Sequence, residues 1–244
     1  MPFRKLIEGF KDFQKNWPEA RPELFDRLIR YGQYPEALII SCSDSRIDPA
    51  IITASEPGDL FVVRNVAAIV PPYEENGDYH GTSAAIEYAV KALEVGNIIV
   101  MGHALCGGVK ALLNKDITEK EFDFIGPWIG IGESAREEVE NHLHEYPEEL
   151  RLKALEQAMI LTSLKNLLTF PWVREAVEKK QLILHGWYFD MAGGKLEALD
   201  IAEGRFKDIF KFPKNAPGPC CCEQLSLGVF LSNLTRTTDK DLED

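Results

Sequence analysis

Four short apolar runs, spaced along the chain and each too short for a typical helix, constrain this sequence most. They are "ALIISC" (37–42), "LFVVRN" (60–65), "NIIVMGH" (97–103) and "QLILHGW" (181–187). Near-continuous apolar strands are buried on both faces, so both faces of their sheet must be covered by other elements. Helical periodicity fills the intervals. Phe3, Leu6, Ile7, Phe10, Phe13 and Trp17 recur at helical spacing, and a second helix over roughly 20–31 ends at Gly32. "HGTSAAIEYAVKALEVG" reads as a helix stopped by Gly96, and helices fill most of 122–179, with Ile160, Leu161, Leu164, Leu167 and Leu168 as a wide stripe. Strands alternating with helices predict an α/β fold with a central, mostly parallel sheet of four or five strands, "KLEALD" supplying the fifth. No internal repeat is present. A single domain over 1–210 is expected, followed by a C-terminal tail (211–244) that is mobile in part after the linker-like "FPKNAPGPCCC".

With 244 residues, 45% of them hydrophobic, the chain can bury a full core. A net charge of −12 argues against a nucleic-acid surface. "MPFRKLIEGFKDF" has no continuous apolar segment of the kind a secretory signal needs, and no run approaches the length of a membrane span. Five cysteines, three of them adjacent at Cys220, Cys221 and Cys222, make no disulfide framework. A cytoplasmic protein with no membrane partner is expected.

Two of the strands end in chemistry. The stretch "IISCSDSRIDP" (39–49) carries Cys42, Asp44 and Arg46 at alternating positions, which one face would share if the extended geometry persisted. The third strand runs into His103-x-x-Cys106. Ligand sites of open α/β sheets lie beyond the strands' carboxyl ends. Two thiolates and an imidazole gathered there suit Zn²⁺, whose catalytic sites use three protein ligands and leave a fourth position open. Asp44 is close enough in sequence to close that position, and Arg46 offers it a bidentate alternative.

Other features carry less. "GIGESA" (130–135) follows no strand, so it is a poor dinucleotide fingerprint. His142 and His144 point to different faces of one helix. His185 and Trp187 read as satisfied core, Cys220–Cys222 as an incidental tail, and His80 as a candidate proton carrier at a loop tip.

"CSDSRIDP", "EPGDLFVVRNVAAIVPP", "AAIEYAV", "GHALCGGVKALL", "NLLTFPWVREAV" and "LHGWYFD" together resemble the β-class carbonic anhydrases over roughly residues 30–200, and the plant-like branch more closely. The resemblance implies a zinc lyase with one Zn²⁺ per subunit on Cys42, His103 and Cys106. It implies reversible hydration of carbon dioxide to bicarbonate and a proton, by attack of zinc-bound hydroxide on CO₂. Asp44 and Arg46 would form the catalytic dyad, with Asp44 a fourth ligand in a closed state. Gln33, Phe61, Val66, Tyr88 and Gly107 would surround the substrate in a homodimer or homotetramer, with Tyr88 crossing between subunits and the N-terminal helical arm packing on the partner. Thiolate ligands donate more charge than imidazoles, so a more alkaline working range is expected than for three-histidine zinc sites. A second branch binds bicarbonate through a tryptophan, an arginine and a tyrosine. Here Ile39, Arg64 and Phe189 stand at those positions, with Tyr188 one residue away, so no regulatory pocket is expected. Two rivals remain: a hydrolase of carbonyl sulfide or carbon disulfide on the same scaffold, and a non-catalytic zinc-containing binding protein.

Overall fold

Strand β1 (Ala37–Cys42) is buried at every residue, as a run without polar alternation requires. It therefore takes the middle of the sheet's parallel half. In this computed structural model, which describes residues 3–75, 79–116, 122–211 and 225–241, the strand order is β2-β1-β3-β4-β5-β6. Strands β2 (Leu60–Asn65) and β3 (Asn97–His103) flank β1 in parallel, and β4 (Ile183–Asp190) continues in parallel beyond β3. Strands β5 (Lys195–Asp200) and β6 (Arg205–Asp208) close the far edge antiparallel. The chain steps one way from β1 to β2, then crosses back past β1 to β3 and continues the other way to β4. The crevice above β1 and β3 is thus the sheet's topological switch point.

Residues 1–34 and 35–244 form two compact units. The first holds α1 (Phe3–Ala20) and α2 (Pro22–Tyr31), with Phe13 stacked on Phe10 and edge-on to Phe25. Phe3, Leu6, Ile7, Phe10 and Phe13 are all exposed on α1. The Trp17 side chain lies outside the described residues, as do Cys220–Cys222.

In the second unit the sheet is accompanied by α3 (Pro49–Thr53), α4 (Gly81–Lys91), α5 (Gly107–Asn114), α6 (Ile125–Gly130), α7 (Glu133–Leu143), α8 (Glu148–Leu167), α9 (Pro171–Glu178) and α10 (Leu227–Asp241). The middle of helix α8 is buried on all sides, with every residue from Ala154 to Leu161 inside. It can lie this close to the sheet because β3 and β4 present glycines beneath it. A Cβ on Gly102 would stand 2.8 Å from Ile160 Cδ1, and one on Gly186 2.9 Å from Ile160 Cγ2. Among the described residues, no helix is long and apolar enough to cross a membrane.

The structure departs from the sequence reading in four places before residue 211. Helix α4 ends at Lys91 rather than at Gly96, and Glu94 turns the chain with a left-handed φ of 51°. Strand β4 runs on to Asp190, because its last residues pair with both β3 and β5. The sheet has a sixth strand, "RFKD", whose charges suit an exposed edge and hide it from an apolar pattern. Extended geometry does not continue past Cys42. The chain turns there, so Asp44 and Arg46 meet through a turn and not by strand alternation.

Candidate metal centre

Cys42 is the last residue of β1 and His103 the last of β3, so neighbouring parallel strands deliver both to the switch point. A turn through Leu105, at a left-handed φ of 58°, then brings Cys106 back as the N-cap of α5. All three side chains are buried, and the ligand atoms of Cys42, His103 and Cys106 lie within 4.8 Å of one another. The two sulfurs are 3.9 Å apart.

The donor chemistry fits a zinc ion. His103 Nδ1 lies 2.9 Å from the Ala104 carbonyl, which can only accept, so Nδ1 carries the ring proton. Nε2 is then a bare lone pair, buried and without a hydrogen-bond partner, facing the same space as the sulfurs. Two sulfurs this close cannot both be anionic without a cation. The hydrogen bond from Cys106 drives the Cys42 thiol far toward thiolate, while the same bond and burial push the Cys106 thiol up. A divalent cation removes the conflict by taking both as thiolates. The Ala67 N–H also reaches Cys42 Sγ at 3.3 Å, from a turn in which Ala67 and Ala68 both adopt left-handed φ (63° and 54°).

Beside this group, Arg46 clamps Asp44 with two parallel bonds, Nε to Oδ1 at 2.9 Å and a terminal nitrogen to Oδ2 at 2.7 Å. The Arg46 backbone N–H adds a third bond to Oδ1 at 2.9 Å. These bonds hold the Asp44 carboxyl well below the usual carboxylate range, the guanidinium contributing most. Asp44 Oδ2 is 4.0 Å from His103 Nε2, next to the ligand atoms yet turned to the arginine. Arg46 is fixed in turn by its bond to the Leu105 carbonyl at 2.9 Å, which ties the two ligand-bearing loops together.

The carbonic anhydrase family model matches residues 37–196, which include all three ligand positions. A carbonic anhydrase of Pseudomonas aeruginosa is 41% identical over 212 residues, covering 86% of this chain and 94% of that protein. One of Synechocystis is 41% identical over 199 residues, covering 81% and 71%. Among solved structures, the β-carbonic anhydrase CcaA superposes with a TM-score of 0.81 at 36% identity, covering 88% of this chain and 94% of that one. A tetrameric β-carbonic anhydrase of the ascomycete Sordaria macrospora gives 0.70 at 32% identity, covering 81% and 96%. The chain belongs to the β-class carbonic anhydrases.

For a β-carbonic anhydrase, the remaining sequence-predicted residues fall into two sets. Phe61 and Tyr88 pair at 5.8 Å between ring centroids, and Tyr88 is half-exposed on α4. Val66 leans on the start of α5, where a Cβ on Gly108 would stand 2.7 Å from Val66 Cγ1. Gly107 is the first residue of that helix. Gln33 is exposed and belongs to the first compact unit, while the ligands belong to the second.

The bicarbonate-pocket positions are otherwise engaged. Ile39 is fully buried in β1. Arg64 donates to the carbonyls of Cys42 (3.0 Å), Asp44 (2.7 Å) and Ile47 (2.7 Å), holding the loop that follows β1. The Tyr188 hydroxyl donates to Glu156 at 2.8 Å. His142 and His144 lie beside Glu138 and Glu145, and His80 lies 3.7 Å from Glu74.

Sequence reasoning missed three supports of this β-carbonic anhydrase site: Arg64 as a loop anchor, the Ala67 amide on Cys42, and Glu156. The last had a signal. Glu156 is a lone acid inside the apolar stretch of a helix long enough to be central.

Proposed function

We propose that this chain catalyses the reversible hydration of carbon dioxide to bicarbonate and a proton, with one Zn²⁺ per subunit held by Cys42, His103 and Cys106. One observation carries the reading. A bare, buried imidazole nitrogen faces two sulfurs, while the adjacent carboxylate of Asp44 is held by Arg46. That leaves a zinc ion three protein ligands and room for a fourth, which a structural site would not keep. Zinc, when bound, supplies the Lewis acidity that lets water act as a nucleophile near neutral pH.

The chain's own residues do the rest. Asp44, kept ionised by Arg46, accepts a hydrogen bond from the attacking water and turns its lone pair toward carbon. Arg46 keeps that carboxylate from becoming a fourth ligand. Phe61, Val66 and Tyr88 form an apolar slot for a small, uncharged substrate and exclude water from the line of attack, and Gln33 donates to a substrate oxygen. The glycine at 107 lets the substrate approach the first turn of α5, whose N-terminal end favours the anionic bicarbonate product. The exposed stripe of α1 docks on a second copy, and Tyr88 reaches the neighbouring subunit's site, which makes the functional unit a homodimer or homotetramer. Thiol ligands of this kind persist in a reducing compartment, and we assign the enzyme to the cytoplasm.

Arg64 and Tyr188 spend their donors within the chain, so no bicarbonate pocket forms, and activity should fall with bicarbonate without cooperativity. Stopped-flow CO₂ hydration by the purified, zinc-assayed protein tests the function. The expected result is rapid hydration that tracks zinc content. Zinc-loaded protein that leaves CO₂ untouched, or that turns over carbonyl sulfide faster in competition, would overturn it.

A further inference from the structure

Glu156 is an acid where the fold would be expected to place a leucine. It is 3% exposed, in the middle of a helix whose neighbouring residues are apolar, and no cation pairs with it among its hydrogen-bond partners. A buried carboxylate without a counter-charge costs several kilocalories per mole unless hydrogen bonds offset the loss of water. Two such bonds are present. Oε1 accepts from the backbone N–H of Cys106 at 2.9 Å, and Oε2 accepts from the Tyr188 hydroxyl at 2.8 Å. The first donor is the amide of a metal-ligand residue, at the start of a helix, where no intrahelical carbonyl can take it.

The helix that carries Glu156 cannot slide. Ile160, one turn further on and on the same face, sits over Gly102 and Gly186 with no room for even a methyl group on either. Gly102 immediately precedes His103. The contact that registers α8 on the sheet therefore registers it against a second ligand as well. Tyr188, in β4, fixes the other carboxylate oxygen from the sheet side, paired in register with Gly102.

We infer that Glu156 is a positioning residue for the metal centre: it fixes the Cys106 backbone, and through it the sulfur, relative to His103. The inference rests on the zinc site proposed above. It concerns hydrogen-bond geometry, with α8, β3 and β4 as a rigid frame and the carboxylate as the link from frame to ligand loop. Partners of this kind, one step removed from the metal, typically change metal affinity by 10–100-fold when removed.

The test is zinc release from the purified, zinc-loaded protein to a chromogenic chelator, well below the melting temperature. Glu156→Leu, which leaves both donors unpaired, should release zinc about 10–100-fold faster than the parent. Glu156→Gln keeps a carbonyl for the Cys106 amide and an amide that the tyrosine oxygen can accept from, so its release should stay within about threefold of the parent. Tyr188→Phe keeps the ring but frees one carboxylate oxygen, and an intermediate acceleration is expected; it serves as the test if Glu156→Leu does not fold.

Cobalt substitution separates positioning from bulk destabilisation. The visible ligand-field bands should shift in Glu156→Leu and match the parent in Glu156→Gln. Parent-like release and spectra in every folded variant would overturn the inference, as would Glu156→Gln losing zinc as fast as Glu156→Leu. A parent that binds no stoichiometric zinc would instead overturn the metal site, and this inference with it.

Discussion

Arg46 decides what Asp44 can do. The carboxylate lies next to the ligand atoms, and an aspartate there is a competent zinc ligand. What holds it away is a bidentate guanidinium, which matches both carboxylate oxygens and adds direction to charge. Arg46→Ala removes that partner and frees Asp44 to turn toward the metal. The variant should retain stoichiometric zinc while hydration falls by at least about tenfold, since positioned acid–base groups contribute in the range of 10²–10⁴. Asp44→Ala should also keep zinc and lose activity, without the option of a closed site. Elemental analysis alongside stopped-flow rates checks both. Parent-like hydration in the two variants would make the pair structural. This ion pair was readable from sequence because its residues sit within one short motif. Arg64 was not, because its role depends on three carbonyls brought near by the turn after β1, a turn that strand alternation alone does not foresee.

At the scale of elements, the contact between α8 and the β3–β4 pair sets the geometry above it. Gly102→Ala would force its methyl into Ile160, and overpacking of this kind costs about 1–3 kcal/mol. Adding Ile160→Ala removes both clashing atoms, Cδ1 and Cγ1 (2.8 and 2.9 Å), so the double variant should be more stable than the sum of the single effects predicts. Urea midpoints for the four proteins check this, and strict additivity would refute the close approach. Strand β4 carries a second testable feature. The His185 ring, half-buried, donates from Nε2 to Asn97 Oδ1 at 3.0 Å, and burial lowers its pKa below the ordinary value. The folded chain therefore resists a proton that the unfolded chain accepts, from about pH 6.5 downward. Stability should be undiminished by this residue above that pH and should fall as the solution is acidified. The parent's urea midpoint should drop more between pH 7.5 and 5.5 than that of His185→Gln, and equal drops would exclude His185 as the cause. Strands β1 and β3 were legible because burial on both faces leaves uninterrupted apolar runs, whereas β2 and β4, only partly buried, were legible from their short β-branched and aromatic runs. The sixth strand was not, since an exposed edge is written in charges, as a loop is.

For the whole molecule, the informative region is the C-terminal one, where the sequence promises only a polar tail beyond residue 210. Its described part contains α10, which packs on α7, α8 and β6 and buries Phe230 and Leu231 completely. Leu227, Phe230, Leu231 and Leu234 recur at helical spacing, a signal that the Pro- and Gly-rich linker before them and the charged residues after them obscured. Their contacts lead inward. Phe230 meets Phe206 at 6.1 Å and Phe206 meets Tyr188 at 6.2 Å, ring centroid to ring centroid, and Tyr188 holds Glu156. Asn233 also donates to the Glu203 carbonyl at 3.1 Å, which anchors the helix over the β5–β6 turn. A chain ending at residue 210 tests whether the expected 1–210 domain stands alone. Each fully buried Phe or Leu is worth about 1.5–3 kcal/mol, so losing two of them, and uncovering Phe206, should lower stability by several kilocalories per mole. Zinc release should quicken too, because one end of the aromatic chain beneath Tyr188 would then face water. Melting temperature and chelator kinetics on the truncated and full chains measure both effects. A truncated protein that melts and holds zinc like the full chain would mean that the frame around the metal is complete by residue 210 and that α10 only covers it.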